Sequence, residues 1–308
     1  MPLATLIHRA SLPSPQVSEA QARQWLAEHY GLSGTLQALG SQQDLNYRVD
    51  SERGRFVLKI CRGDYALVEL QAQHAGLKYL AEHSSVHVPR VIPASNGEDL
   101  LSLETDGEPV HVRLLDYIEG QPLTHLEHLG HDVVAGFGRL CGEMDLALAG
   151  FDHPGLQRTL QWDARHASAL ISHLLPVIQD ERQRALIAQA AEQAERRLQP
   201  LQDKLPVQAI HMDITDDNAV WQRDAKRHWQ LQGVIDFGDL VRTWRITDLS
   251  VTCAALLHHA GGDPFVILPA VQAYHAVNPL QHDELLALWP LIVARAAVLV
   301  LSGEQQVS

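Results

Sequence analysis

The chain has 308 residues, of which 46% are hydrophobic and 20% are charged, and its formal net charge at pH 7 is −13. This composition is typical of a soluble globular protein with one large domain or two lobes, and the negative charge argues against nucleic acid as a partner. The three cysteines, Cys61, Cys141 and Cys253, form no CxxC pair, which argues against a disulfide framework or a thiolate zinc site and predicts a cytoplasmic protein.

The first elements are a predicted helix and a β-hairpin. Ser18, followed three residues later by Gln21, forms a capping-box pattern, which predicts that a helix begins here. Apolar and polar residues then alternate over residues 45–49 and again over residues 56–60, and a turn sequence at residues 51–54 separates the two runs. Alternation on both sides of a turn predicts a β-hairpin.

One helix and a second hairpin complete the first lobe. Leucines recur at helical intervals over residues 64–82, and Asp64 is the expected N-cap of that helix. An Asp-Gly pair at residues 106–107 predicts a tight turn between two more strands. We therefore predict a β-rich lobe over residues 1–115, followed by a hinge over residues 116–120.

Helical patterns dominate the second lobe, residues 121–308. The predicted helices cover residues 132–149, 166–198, 248–258 and 283–301, and two short apolar strands lie at residues 207–212 and 231–237. The most apolar stretch, residues 288–301, is too short to span a bilayer and contains Arg295, so it predicts a buried helix and no membrane association. The fold class that follows is α+β, with a ligand cleft between a small β-rich lobe and a larger helical lobe.

Lys59 is the first candidate for chemistry. It lies in the apolar strand at residues 56–60 and projects opposite to Leu58 and Ile60, because side chains alternate along a strand. Such a lysine is a suitable point charge for the phosphates of a nucleotide, although an edge-strand lysine would show the same pattern. Glu69 on the following helix could pair with Lys59, and would otherwise be an ordinary solvated residue.

The second motif follows the apolar strand that begins at residue 207. Its sequence HMDITDDN has the spacing HxDxxxxN of a kinase catalytic loop, in which His211 and Asp213 are the candidate catalytic residues. In that arrangement Asp213 would orient the acceptor hydroxyl and take its proton, and Asn218 would supply an oxygen ligand to Mg²⁺. Asp and Asn are also common in turns, so a plain turn is the alternative.

The third motif is IDFGD at residues 235–239, at the end of the other apolar strand. Asp236, presented at a strand end and followed by Phe-Gly, matches the metal-binding aspartate of kinases. Mg²⁺ prefers one or two carboxylates together with phosphate oxygens, so Asp236 and Asn218 could hold it jointly. The order of strand Lys, helix Glu, HxDxxxxN and IDFGD predicts a bilobal, protein-kinase-like fold that uses ATP and Mg²⁺.

These motifs together resemble the aminoglycoside phosphotransferase and choline kinase superfamily. Asp239 is followed almost at once by the helix expected near Asp248, which leaves no room for the long activation segment of protein kinases and favours a small-molecule acceptor. The segments QDLNY at residues 43–47, GFDHP at 150–154 and WD at 162–163 resemble the hydroxylysine kinase branch. The likeness extends over most of the chain.

The resemblance implies further site residues. The loop from Ser41 to Asn46 would cover the phosphates, although it lacks a GxGxxG pattern, and residues 115–118 would contact adenine. The implied nucleotide contacts are Lys59, Glu69, Ser41, Asn46, Asp116, Tyr117 and Ile118. The residues expected to border the acceptor are Trp162, Asp163, Asp217 and Asp239. For Trp162 and Asp163 the alternative is a packing residue and a cap at the start of a helix.

The predicted acceptor is a cationic amino alcohol or hydroxyamino acid, with hydroxylysine as the first choice. The acidic balance and the carboxylates at residues 216, 217, 239 and 248 motivate this expectation, since opposed charges concentrate a substrate at a cleft. The alternative is a catalytically weakened nucleotide-binding regulatory domain of a larger enzyme. It draws support from Met212, which stands where the family usually has Gly. Related domains are fused to a pyridoxal-phosphate aminotransferase-like module, and we expect this chain to be fused to one or excised from such a protein.

Overall fold

The N-terminal lobe is built on one antiparallel sheet. The computed structural model describes residues 14–41 and 44–307 of the chain. The strands of the lobe are β1 Gly34–Leu39, β2 Leu45–Ser51, β3 Gly54–Arg62, β4 Val91–Ile92, β5 Leu101–Thr105 and β6 Glu108–Asp116. Their order is β1-β2-β3-β6-β4, and β5 also pairs with β6. The sheet ends at Asp116, where the chain crosses to the second lobe.

Two helices, α1 Glu19–Tyr30 and α2 Leu67–His83, cover opposite faces of this sheet. Leu58 and Ile60 of β3 pack with Trp25 of α1 in one apolar cluster, whereas Val57 packs against the cluster that contains Leu77 of α2. The alternation along β3 therefore gives two different faces, as the sequence predicted. Leu58 and Ile60 are fully buried, and burying each side chain contributes about 1.5–3 kcal/mol to stability.

Three local predictions for this lobe are confirmed. Ser18 is the N-cap of α1, and its Oγ accepts a hydrogen bond from Gln21 N at 3.1 Å. The strands β2 and β3 form the predicted hairpin. Asp106 and Gly107 connect β5 to β6 with φ angles of 50° and 81°, the left-handed conformation that a two-residue hairpin turn requires.

The predicted start of α2 is wrong. The helix begins at Leu67, with Ala66 as its N-cap and no side-chain cap. Asp64 instead accepts a hydrogen bond from Arg62 Nε at 3.0 Å. This ion pair within the preceding turn uses the carboxylate that would otherwise have capped the helix.

The C-terminal lobe is mostly helical, with two small hairpin-like sheets. The helices are α3 His131–Leu148, α4 Ala167–Leu174, α5 Glu181–Leu198, α6 Ile246–Leu256, α7 Leu268–Val277 and α8 His282–Val307. The strands are β7 Val207–Ile210, β8 Ala219–Arg223, β9 Trp229–Val234 and β10 Val241–Trp244. β7 pairs with β10 and β8 pairs with β9, both antiparallel. These pairs bring the ends of β7 and β9 to the cleft.

The structure corrects the predicted elements of this lobe in two ways. The single helix predicted over residues 166–198 is two helices, because the short turn Leu175–Val177 with Pro176 in it separates α4 from α5 and proline interrupts helical hydrogen bonding. The elements α7, β8 and β10 were not predicted. The two missed strands have only five and four residues and alternate too briefly to be recognised.

Helix α8 is long and apolar enough to cross a membrane by length and composition alone, the one such helix among the described residues. In this fold 56% of its most apolar window is buried, where it packs against α4, α5 and α6. Arg295 of α8 also forms an ion pair with Asp213, which follows β7. The predicted buried helix is therefore present, and it forms part of the core.

Candidate active site

Lys59 lies in the cleft between the lobes, on the face of β3 opposite to Leu58 and Ile60. It is buried, and its Nζ lies 3.2 Å from Asp236 Oδ1 and 3.8 Å from Asp44 Oδ2. Burial alone would lower the pKa of Lys59, but the carboxylate of Asp236, helped by Asp44, outweighs this and the net pKa is raised. Lys59 is therefore a cation at neutral pH, held where the two lobes meet.

The predicted pairing of Lys59 with Glu69 is not formed. Glu69 Oε2 lies 3.4 Å from Nη1 of Arg158, and Nη2 of the same guanidinium donates to Gly238 O. Arg158 follows the short helix Pro154–Leu156, which packs against α2 and so brings a different cation to Glu69. The choice of partner depends on tertiary packing, which the order of strand and helix does not reveal.

Asp236 follows β9 in a left-handed conformation with φ 59° and ψ 78°, which Asp tolerates better than most residues. Its Oδ1 accepts hydrogen bonds from Gly238 N at 3.1 Å and from Lys59 Nζ at 3.2 Å. The charge of Lys59 lowers the pKa of Asp236 to about 2. Because the side chain is 46% exposed, Asp236 presents an ionised carboxylate that a ligand can reach.

His211 fixes the start of the catalytic loop. Its Nε2 lies 3.1 Å from Ile235 O and its Nδ1 lies 3.2 Å from Asp213 N, so Nε2 carries the proton and Nδ1 accepts. Burial lowers the pKa of His211 to about 4, and the ring packs edge-on against Phe237 at 4.6 Å. The imidazole is neutral with both nitrogens engaged, so the geometry gives His211 a positioning role between the two motifs.

Asp248 at the start of α6 supports the loop from below. Its Oδ2 accepts from His211 N at 3.1 Å and its Oδ1 accepts from Met212 N at 2.7 Å. Asp145 of α3 lies beside it and accepts a hydrogen bond from Tyr274 Oη at 2.6 Å. Burial raises the pKa of both carboxyl groups. Asp248 was expected near a cationic acceptor, but it is fully buried and holds the backbone of the loop.

Asp213 lies between an amide and a guanidinium. Asn218 Nδ2 donates to Asp213 Oδ2 at 2.7 Å and to Asp213 O at 3.0 Å, while Nη2 of Arg295 lies 3.5 Å from Oδ1. Burial raises the pKa of Asp213, with a further contribution from Asp239 and opposition from Arg295. The spacing HxDxxxxN therefore brings Asp213 and Asn218 into direct contact. The sequence did not indicate Arg295 as a site residue, although a single charge in an apolar helix was a signal.

The sequence profile of the phosphotransferase enzyme family, APH, matches residues 35–289. The chain belongs to this family. Hydroxylysine kinase from Danio rerio is 25% identical over 298 residues, which cover 91% of this chain and 82% of that protein. The predicted superfamily is thus confirmed, and the chain is a small-molecule kinase.

Solved kinase structures share the fold of this phosphotransferase. A microcompartment-associated aminopropanol kinase has a TM-score of 0.70 at 21% identity, over 93% of this chain and 95% of that chain. An amicoumacin kinase in complex with AMP-PNP, Ca²⁺ and Ami has a TM-score of 0.72 at 16% identity, over 94% and 87%. The predicted α+β, bilobal kinase-like fold is confirmed.

In this phosphotransferase the predicted phosphate loop is described only in part, since residues 42 and 43 lie outside the described residues. Ser41 Oγ accepts a hydrogen bond from Asp44 N at 3.1 Å, which closes the loop on itself. Asn46 lies opposite Lys59 across the β2–β3 pair. The Asn46 side chain is buried, and its Oδ1 has no hydrogen-bond partner among the described residues. A polar atom left in this way next to Lys59 fits a ligand contact.

The hinge residues are held mainly by the N-terminal lobe. The Asp116 carboxylate accepts from Arg90 Nε at 2.7 Å, so its side chain is already used within the lobe. Tyr117 N donates to Arg55 O at 3.2 Å, and Ile118 is buried. Any contact with a nucleotide base at this hinge would therefore come from the main chain and from Ile118.

Four residues were expected to border the acceptor, and their positions differ. Trp162 lies beneath Arg295, with the guanidinium carbon 5.0 Å from the ring centroid. Asp239 is half-buried, and burial raises its pKa although Arg158 and Arg295 oppose this shift. Trp162 is thus linked to Asp213 through Arg295. The charge of Asp239 acts on Asp213 directly by raising its pKa.

The other two expected acceptor residues lie further from Asp213. Asp163 is fully buried. Its carboxylate accepts a hydrogen bond from Thr243 Oγ1 at 3.0 Å and caps the short helix Ala164–His166, so these hydrogen bonds serve the fold. Asp217 is exposed, but its neighbour Asp216 is buried against His259, with Oδ2 3.0 Å from Nε2. The Asp216-Asp217 pair therefore does not present two free carboxylates.

Proposed function

We propose that this kinase transfers the γ-phosphoryl group of ATP to a hydroxyl group of an acceptor that carries an amine, with hydroxylysine as the first candidate. The observation that supports this proposal best is the position of Asp213, whose carboxylate is held by Asn218 and Arg295. The charge of a second carboxylate, Asp239, helps to raise the pKa of Asp213. One carboxylate can orient the hydroxyl, and the other can attract the ammonium group. The similarity to hydroxylysine kinase supports the same choice.

Asp236 and Asn218 are the residues that would hold Mg²⁺. The Asn218 amide nitrogen donates to Asp213, and no described residue donates a hydrogen bond to its side-chain oxygen. Asp236 is ionised and accessible. An oxygen donor set with a single carboxylate suits Mg²⁺, which takes its remaining ligands from phosphate and water. When bound, the ion would neutralise the charge that develops on the transferred phosphoryl group.

The remaining steps belong to the side chains of this chain. Lys59 supplies a buried positive charge for the nucleotide phosphates, and Asn46 adds a polar contact beside it. Asp213 holds the acceptor hydroxyl in line with the phosphoryl group and takes its proton, and its raised pKa makes it a better base than an ordinary carboxylate. His211 and Asp248 keep Asp213 in place.

The alternative of a weakened regulatory domain loses its main argument at Met212. The Met212 side chain is fully buried in a cluster with Ile210 and Val241, and therefore packs into the core of the lobe without being exposed to solvent. We also propose a cytoplasmic location, which is supported by the three cysteines, all buried and unpaired.

A coupled assay of ADP release tests the proposed function. The acceptors are hydroxylysine, ethanolamine, choline, an aminoglycoside, and neutral and anionic hydroxyl compounds as controls. We expect ADP and phosphorylated product in equal amounts with amine-bearing acceptors, and loss of both with the Asp213→Asn variant. A clear preference for neutral or anionic acceptors would refute the proposed substrate class.

A further inference from the structure

Four cations around Lys59 and Asp213 are buried or nearly buried among the described residues, namely Lys59, Arg113, Arg158 and Arg295, and they are satisfied to different degrees. Arg113 lies opposite Lys59 across the β3–β6 pair, and its Nε has no hydrogen-bond partner among those residues. Lys59 is held by the carboxylates of Asp236 and Asp44. Arg158 is held by Glu69 and by the carbonyl of Gly238. Lys59 and Arg158 are therefore each paired with at least one neighbouring carboxylate.

Among the described residues, Arg113 and Arg158 each have one buried guanidinium nitrogen without a hydrogen-bond partner, whereas Arg295 has two. Its side chain is only 11% exposed, and its contact with a carboxylate is a single approach of Nη2 to Asp213 Oδ1 at 3.5 Å, which is too long for a strong hydrogen bond. Its Nε and Nη1 atoms are buried without a hydrogen-bond partner among the described residues. Leaving charged donors buried and unpaired is costly, so these two donors have capacity for a partner.

The orientation of the Arg295 guanidinium is fixed from two sides. The Trp162 ring lies against its face, with the guanidinium carbon 5.0 Å from the ring centroid. This is a favourable cation–π contact. Arg295 itself sits in the buried helix α8, whose packing against α4 and α6 fixes the position of the stem. A planar guanidinium held in this way presents its Nη1 and Nη2 N–H groups along one edge, the geometry that matches a carboxylate. Of these two atoms, Nη1 has no partner among the described residues and Nη2 only approaches Asp213 at 3.5 Å.

We infer that Arg295 binds a carboxylate of the acceptor, so that the acceptor is a hydroxyamino acid rather than a simple amino alcohol. This inference rests on the proposed function. The acceptor hydroxyl must lie against Asp213, and Arg295 is in contact with the same carboxylate, so a carboxylate on Arg295 would be separated from the reacting hydroxyl by a short carbon chain. The charge of Asp239 acts on both Asp213 and Arg295, and an ammonium group on the acceptor would be attracted to it.

This inference separates two kinds of relative. Hydroxylysine, named in the relative from Danio rerio, carries a carboxylate, whereas the aminopropanol of the structural neighbour does not. A competing explanation is that an ordered water serves Arg295. A cavity of about 10 Å³ lined by Arg295 and Thr247 is about the size of one water molecule, and Thr247 Oγ1 also has no partner among the described residues.

The first experiment uses the unaltered enzyme with acceptors matched in pairs. Each hydroxyamino acid is compared with its decarboxylated amine: serine with ethanolamine, homoserine with 3-amino-1-propanol, and hydroxylysine with 1,5-diamino-2-pentanol. For the pair that is turned over fastest, we expect kcat/KM to be roughly 10- to 100-fold higher with the amino acid, the discrimination that a charged hydrogen-bonded contact provides. Equal values, or a preference for the amine, would overturn the inference and leave the proposed kinase function intact. No turnover with any acceptor would instead contradict the proposed function.

The second experiment changes the enzyme and reads a ratio. Arg295→Met should lower kcat/KM for the amino acid about 10- to 100-fold more than for its decarboxylated partner, and Arg295→Lys should lie between because it keeps the charge without the fork. Arg196→Met on the exposed face of α5 is the matched control and should change neither value. If Arg295 acted only through Asp213, its substitution would lower kcat/KM equally for both substrates. An unchanged ratio of the two kcat/KM values would therefore assign Arg295 to positioning or water binding and refute the inference.

Discussion

Met212 occupies a backbone position that suits glycine, and this can be tested by two substitutions. Its φ is 73°, in the left-handed region that costs a non-glycine residue about 1–2 kcal/mol. Its side chain is fully buried with Ile210 and Val241. Met212 therefore contributes apolar burial while it pays a backbone penalty, which explains why a larger residue can stand where the family usually has Gly.

The two substitutions remove the same side chain but differ in backbone strain. Met212→Ala should lower the free energy of unfolding by about 2–5 kcal/mol, the usual range for a buried methionine, while keeping the unfavourable φ. Met212→Gly also loses the side chain but relieves the strain, so we expect it to be more stable than Met212→Ala by about 1 kcal/mol. This order is the reverse of the one found in regular helices.

Met144 provides the matched control. It is also fully buried, but it lies within α3, where Ala is more stable than Gly by about 1 kcal/mol. Urea unfolding of the four variants and the unaltered protein gives the comparison, with the slope m checked for constancy. If Met212→Ala proved equal to or more stable than Met212→Gly, the strain argument would be wrong.

Three further predictions concern the charged groups of the site. Asp213→Asn should lower kcat by about 10²–10⁴-fold with nucleotide affinity retained, as measured by steady-state kinetics and nucleotide titration. Lys59→Met should weaken ATP binding by roughly 10- to 100-fold, because it removes a charged contact to phosphate; unchanged affinity would exclude that role. Burial raises the pKa of Asp145 and Asp248, so the contribution of their protonated forms to stability is complete below pH ~4 and is lost as pH rises through the raised pKa values. From pH 5 to 8 the Tm should therefore fall less steeply with pH for Asp145→Asn than for the unaltered protein. Identical slopes of Tm against pH would contradict this linkage.

The parts of the site that the sequence predicted are those formed by residues close together in the chain. HxDxxxxN brings Asn218 onto Asp213 because a single tight loop connects them. The hairpin of β2 and β3 places Asn46 opposite Lys59 through a two-residue turn. In each case a short segment has few alternative conformations, so spacing carries most of the geometry.

The parts that the sequence did not predict depend on the packing of distant elements. Arg295 reaches Asp213 from a helix that follows it by about eighty residues, and nothing in that helix's pattern indicates which loop it faces. Glu69 pairs with Arg158 because a short helix after α3 packs on α2. Asp163 was assigned to the acceptor side, yet it caps a turn, because a Trp-Asp pair in sequence has the same appearance in both roles.

The ion pair of Lys59 and Asp236 links the two lobes and has a consequence for ligand binding. Each group keeps the other ionised, since the pKa of Lys59 is raised and that of Asp236 is lowered. A cation that drew Asp236 away would leave the buried Lys59 with Asp44, at 3.8 Å, as its remaining carboxylate, and a poorly compensated buried charge is costly. Asp236 is 46% exposed, so an anion that took Lys59 from it would leave a carboxylate that water can solvate. A ligand that carries both signs, as a nucleotide with its divalent cation does, can replace both partners at once. On the proposed function, we therefore expect the cleft to bind a nucleotide together with its divalent cation more tightly than either component alone. We expect the same at Asp213 and Arg295 for an acceptor with both an ammonium and a carboxylate group.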